Sequence, residues 1–170
     1  MTAGTSARVG TWTVLAERTS AAFTVRNFGF RAVHGSIPVS LGSVRVSGSG
    51  VTAVEAALDL DMIDTGNAKR DADLRKPGLL AIDAHPVLTF AADRIEGGPG
   101  EWSIEGTLGA RGESCPLTVT ATGPEDNGDG TWRVLAGAVF DRRALGVRAP
   151  RFLIGAEITI ALDVVLAPPG

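Results

Sequence analysis

Apolar and polar residues alternate with period 2 through most of this chain, and the rhythm is broken at length only once. That alternation allows a run of half-buried strands and little else. Val54, Ala56, Leu58, Leu60 and Met62 alternate with Glu55, Asp59 and Asp61. The same spacing marks Trp12–Val14, Ala21/Phe23/Val25, Val33/Gly35/Ile37/Val39/Leu41, Val44/Val46 and Leu88/Phe90/Ala92. It returns in Trp102/Ile104/Gly106/Leu108, Leu117/Val119/Ala121, Trp132/Val134/Ala136/Ala138/Phe140 and Ile158/Ile160/Leu162/Val164/Leu166. Pro38 cannot donate to a ladder and signals an edge or a bulge within its stretch. Eight to ten antiparallel strands are expected, in a sandwich or an up-and-down barrel. A barrel is favoured, because each strand carries one apolar stripe and closure leaves few edges to protect.

The single long interruption is Ile63 to Phe90. Thr65-Gly66-Asn67 reads as a turn, and AKRDADLR after it as a short helix that packs Leu74 inward. Pro77-Gly78 ends the helix, Leu79-Leu80-Ala81-Ile82 forms a second apolar piece, and Ala84-His85-Pro86 turns into the next strand. The expectation is that Ala68 to Ile82 caps one end of the barrel. Leu74, Leu79, Leu80 and Ile82 would face inward, with Asn67, Arg70, Asp71 and Arg75 at the rim.

The length of 170 residues suits one domain over 1–170, with residues 1–9 flexible. An apolar content of 44% and a net charge of -3 describe an ordinary globule, without the positive surplus that nucleic-acid binding needs. No apolar run is long enough to span a bilayer. MTAGTSARVG has no apolar core of a signal peptide, so a cytoplasmic location is expected. Cys115 is the lone cysteine, which leaves no intramolecular disulfide to form. Many stripe positions are small (Ala21, Ala56, Ala92, Gly106, Ala121, Ala136, Ala138), and small inward residues favour a barrel that holds a ligand over one filled by side chains.

Motifs of chemistry are weak by comparison. Gly48-Ser49-Gly50-Val51-Thr52-Ala53 fits a dinucleotide fingerprint but precedes a strand, so a hairpin turn is favoured. Asp64-Thr65-Gly66 matches the core of aspartic proteases, yet the triplet is also good turn chemistry. Asp59, Asp61 and Asp64 lack the glycine and distal glutamate of a calcium loop, and Asp126 to Gly130 reads as a hairpin turn. His34 and His85 have no neighbour at metal-ligand spacing, and nothing activates Cys115. No catalytic residue, metal site or cofactor is assigned, and the chain is expected not to be an enzyme.

Several segments, taken in order, resemble the YceI-like family. They are TWTVLAERTSAAFTVRNFGF (11–30), Gly35-Ser36, IDTGNAKRDADLR (63–75), HPVLTF (85–90), LGARGESCPLTV (108–119), DRRALGV (141–147) and the strand Glu157 to Val164. The resemblance implies an extended antiparallel lipocalin-like barrel of about eight strands with a short helical cap. It also implies a lumen that binds a polyisoprenoid or similar long apolar lipid, and association as a homodimer. The chain departs from the family at Arg18, Asn27 and Asp73, where histidine is frequent, and at Leu79-Leu80, where aromatics are usual.

The expected function is therefore a non-catalytic carrier of a long apolar lipid, with an isoprenoid or quinone-like molecule as the ligand. The alternative is a barrel without a lipid, acting as a stress-response or protein-interaction module. Each buried CH₂ is worth ~0.8 kcal/mol, so a chain of isoprene units needs few polar contacts to bind. The candidate ligand-binding residues are Phe23, Val25, Phe28, Phe30, Arg70, Leu74, Arg75, Leu79, Leu80, Ile82, Phe90, Leu108, Val119, Phe140 and Phe152. Arg70, Arg75 and Lys69 could pair with a phosphate head group. Equally, Arg70 and Asp71 could serve to hold the cap in place.

Overall fold

Strands whose apolar stripes all turn to one side must bury them together, and a computed structural model shows the sheet doing so by closing on itself. The structure describes residues 8–27, 31–76, 79–98, 100–146 and 157–169. Its strands are β1 (Gly10–Val14), β2 (Ser20–Asn27), β3 (Arg31–Ser36), β4 (Val39–Ser47), β5 (Gly50–Asp59) and β6 (Val87–Gly98). β7 (Gly100–Ala110), β8 (Glu113–Asp126), β9 (Trp132–Asp141) and β10 (Glu157–Ala167) complete the sheet, and α1 (Ala68–Leu74) is the α-helix among the described residues.

The strands pair antiparallel in the order β1-β4-β5-β6-β7-β8-β9-β10, and β1 returns to β10 through Thr13↔Ala167 and Val14↔Leu166. β2 follows β1 along the same edge of β10, and β3 leads into β4, so each pair makes one interrupted strand. Counted that way, the sheet is an eight-stranded closed antiparallel barrel, lipocalin-like as the sequence predicts. Between β1 and β2 the chain makes a 3-10 turn at Ala16–Arg18. Between β3 and β4 stands Pro38, whose carbonyl accepts the Asp59 N–H at 2.8 Å.

Register sorts the connections into two ends. The β4–β5, β6–β7 and β8–β9 turns lie at one end with the start of β1 and the finish of β10, since Gly10 faces Val46 and Leu166 faces Trp132. The long β5–β6 connection, with α1, lies at the other end beside the β7–β8 turn and the close of β9. Gly48 and Ser49 form a hairpin turn, as expected in preference to a nucleotide loop. Asp126 to Gly130 is likewise turn structure, held by the Asp126 carboxylate on the Gly128 N–H.

Two stripe positions depart from the predicted alternation. Leu41 is 72% exposed, because a register shift between Val39 and Leu41 inserts a residue and reverses the side chains after it. Met62 is 61% exposed, because β5 ends at Asp59 and Leu60–Met62 is a 3-10 turn, so period 2 no longer applies. Leu60 still points inward and is almost fully buried. The predicted flexible segment, 1–9, lies largely outside the described residues.

Candidate ligand-binding lumen

Among the described residues, two adjacent cavities lie in the barrel interior. The larger, of about 520 Å³, is lined by the inward stripes of β1, β4–β10 and by the β4–β5 turn. The smaller, of about 150 Å³, lies at the cap end, where β2, β3, β10 and the β5–β6 connection meet. The larger volume falls within the roughly 300–1,000 Å³ typical of small-molecule sites.

Small side chains keep the large chamber open. Ala56, Ala121, Ala136 and Ala138 line it, as the stripe composition suggested. Two phenylalanines lie against cross-strand glycines. A Cβ at Gly106 would come within 2.8 Å of the Phe90 ring, and one at Gly35 would collide with the Phe23 ring. Each glycine thus gives an aromatic ring room to lie down on the sheet.

All three tryptophans line the large chamber. Trp12 and Trp132 pack at 5.3 Å between ring centroids, tilted by 49°, within a cluster with Val46 and Leu166. A tilted contact of this kind suits the ring quadrupoles. The indole N–H of Trp12 donates to the Arg8 carbonyl at 2.9 Å and that of Trp102 to the Gly123 carbonyl at 3.0 Å. Those bonds leave apolar ring surface for the cavity. The polar residues in its lining, Ser43, Ser47, Ser49 and Glu55, belong to β4, β5 and their turn.

The cap is built by the IDTGNAKRD run itself. The Asp64 carboxylate accepts the Gly66 N–H at 2.8 Å, and the Asn67 side chain caps α1 by accepting the Arg70 N–H at 3.0 Å. Asp71 accepts both the N–H and the hydroxyl of Thr65. Arg70 donates from Nε to Thr65 Oγ1 and from Nη2 to the Thr65 carbonyl, each at 3.0 Å. Paired backbone bonds between Ser36 and Asp64 tie this clasp to β3. Arg75 donates to Asp61 at 2.6 Å and to Asp83 at 2.7–2.9 Å, and its hydrogen bonds to these carboxylates raise its pKa.

These contacts sort the predicted site residues. Phe90, Leu108 and Val119 line the large chamber; Phe23, Val25, Arg70, Leu74, Leu80 and Phe140 line the small one. Leu79 and Ile82 pack into the core but line neither cavity; Ile82 is 0% exposed and serves as an anchor of the cap. Arg75 lies outside both cavities, because its guanidinium is held by two carboxylates on the cap surface. Lys69 is exposed and lines neither. Phe28, Phe30 and Phe152 lie outside the described residues. Arg70 and Asp71 do not pair with each other; both converge on Thr65.

The cap covers less of the lumen than the sequence suggested. Thr65, Arg70, Leu74 and Leu80 border the small chamber, whereas the large one runs to the opposite, tryptophan-lined end. Trp12, Trp102 and Trp132 were legible on their stripes but were not singled out as site residues. Arg142 was legible only as part of DRRALGV and was not singled out as a site residue. It lines the small chamber at 3% exposure.

His34 and Cys115 add no chemistry to either chamber. The His34 ring shares a 3.1 Å hydrogen bond with Thr24 Oγ1 on the outer surface. Cys115 is a buried free thiol whose pKa is pushed up by burial. Among the described residues no group of three or more His, Cys, Asp or Glu is placed to hold a metal ion, and no helix is long and apolar enough to cross a membrane.

A closed antiparallel barrel with an apolar interior and a helical cap defines a lipocalin-like fold. A YceI-like domain matches residues 12–166, and the chain belongs to that family. A UPF0312 protein of Pectobacterium atrosepticum is 25% identical over 101 residues, 58% of this chain and 53% of that protein. A UPF0312 protein of Pseudomonas aeruginosa matches to the same extent, so the chain spans about half the length of the curated relatives it matches. Among solved structures, BcnA of Burkholderia cenocepacia superposes with a TM-score of 0.78 at 17% identity, over 89% of this chain and 98% of that one. A polyisoprenoid-binding domain of Saccharophagus degradans gives 0.69 at 12% identity, over 93% and 98%. The Campylobacter jejuni YceI protein gives 0.70 at 16% identity, over 85% and 90%. At these identities the superpositions speak for the fold.

Proposed function

We propose that this protein is a non-catalytic carrier that holds a polyisoprenoid or similar long apolar chain inside the barrel. The observation that carries the reading is the large chamber of about 520 Å³, lined almost wholly by apolar side chains and all three tryptophans. Such a lining supplies burial rather than proton transfer. It would bind a methyl-branched chain at ~0.8 kcal/mol per buried CH₂, without specific polar contacts. The polyisoprenoid-binding domain of the Saccharophagus neighbour supports the same class of ligand.

Arg70 belongs first to the cap on this reading, since two of its donors are committed to Thr65. Its remaining N–H groups are the candidates for a ligand's polar end, in keeping with its place on the small chamber's wall. The test is mass spectrometry of organic extracts of the purified protein. A co-purifying prenyl species at near-stoichiometric amount is the expected result. An empty extract, together with no uptake of prenyl alcohols by the protein, would leave the barrel an interaction module.

A further inference from the structure

The two chambers are neighbours rather than one tube, and three side chains belong to the walls of both: Leu58, Leu88 and Ile160. Their places in the sheet explain the division. Leu58 and Leu88 face each other across β5 and β6, on a shared row of the ladder. Ile160 stands on β10, between Ala138 of β9 and Phe23 of β2. With each interrupted strand counted once, β6 and β10 are four positions apart around an eight-stranded barrel, which puts them on opposite walls. Branched side chains thus reach across the lumen from both sides at one level. Toward the tryptophans the neighbouring stripe positions on β9 are Ala136 and Ala138, which leave the bore wide.

We propose that Leu58, Leu88 and Ile160 form a waist that sets the length of chain the lumen accepts. A chain that fits within the large chamber binds without touching the small one. A longer chain must thread the waist and place its last segment beside Leu74, Leu80 and Phe140, which line the chamber under the cap. Chain-length selection then resides in three side chains of the barrel wall rather than in the cap. This inference rests on the lumen being the ligand site, and it adds a specificity-determining element to that reading.

The test is a series of prenyl alcohols of increasing isoprene number, titrated into the full chain and followed by the fluorescence of the lumen tryptophans. Wild type is compared with Ile160→Phe, which narrows the waist, and Leu88→Ala, which widens it. Circular dichroism confirms that each variant is folded. With Ile160→Phe, the short alcohols should keep their affinity within about threefold, while those too long for the large chamber should lose at least about tenfold. Leu88→Ala should move the length of strongest binding upward by at least one isoprene unit. If the length dependence of both variants runs parallel to wild type, the waist is overturned and the lumen site stands. If no alcohol binds the wild-type chain, the lumen site falls and the waist falls with it.

Discussion

The two ends of this barrel are made of different materials. At the cap end the chain is held by polar contacts: Arg70 and Asp71 on Thr65, Asn67 on the first turn of α1, and Arg75 between Asp61 and Asp83. At the other end the interior is walled by Trp12, Trp102 and Trp132 with valines and alanines, and the larger cavity lies there. The end that carries the recognisable sequence motif is therefore the one whose motif residues are committed to holding the chain in place. A motif can mark a family through the architecture it builds, while the space for a ligand is shaped by residues that form no motif at all. Substitutions at the cap should then act on stability, and those in the large chamber on binding.

The largest stability effect is expected where the cap enters the core. Ile82 has no exposed surface, so Ile82→Ala removes buried volume from a site with little room to collapse. A loss of about 2–5 kcal/mol is expected, measurable by urea denaturation. Affinity for a short prenyl alcohol should change little under conditions where the variant is folded. A large loss of affinity in that folded state would break the division between the ends.

A smaller effect is expected from the clasp. Arg70→Ala removes the donor to the Thr65 carbonyl and one of the two partners of its hydroxyl, which keeps Asp71, at about 1–3 kcal/mol. Arg70→Lys should rescue little of it, because a single ammonium cannot reproduce two donors in a fixed fork. If the alanine variant melts like wild type but loses phosphorylated prenyl chains selectively, Arg70 serves the ligand and the cap stands without it.

The smallest effect is expected in acid, and there the two ends should behave alike. Asp141, at the cap end, is held down to about 2 by hydrogen bonds from the Arg143 side chain and backbone. Asp129, in the β8–β9 turn, is held down to about 2 by the Thr131 hydroxyl and N–H. A carboxylate whose pKa is depressed by folding contributes stability that is complete above its unfolded value of ~4 and is lost as pH falls through its folded value. Stability should therefore decline between about pH 4 and pH 2. Asp141→Asn and Asp129→Asn should each flatten that decline, and a decline unaltered in both would assign the acid sensitivity elsewhere.

Much of this was legible from alternation alone. The stripes read on β6 to β10 appear in the barrel with their predicted faces, because the register shifts in β6 and β8 come after Ala92 and Ala121, beyond the stripes read on those two strands. The predicted alternation fails at Leu41 and Met62, where a bulge and a 3-10 turn change the count; Pro38 marked an edge or a bulge in its stretch but not the residue at which the count shifts. Closure itself is also silent in sequence: β1 meets β10 through residues more than 150 positions apart, Val14 and Leu166 among them. For the lumen, Phe23, Phe90 and Phe140 drew notice as large apolar residues. The small stripe residues, Ala136 and Ala138 among them, favoured an open lumen and do line it, whereas its size and its division into two chambers become visible only when the opposite walls are placed. Arg75 looked like a ligand contact because its ion-pair partners, Asp61 and Asp83, lie 14 and 8 positions away.

The central claim is that the ligand's chain lies in the large, tryptophan-lined chamber. Equilibrium binding of a fluorescent prenyl alcohol to wild type and to Ala136→Trp tests it most directly, since Ala136 lines that chamber and not the one under the cap. An indole there would occupy space the chain requires. The expected result is an affinity at least about tenfold weaker, in a variant that keeps its β circular dichroism and melts cooperatively. Unchanged affinity in that folded variant would place the ligand outside the large chamber and contradict the account.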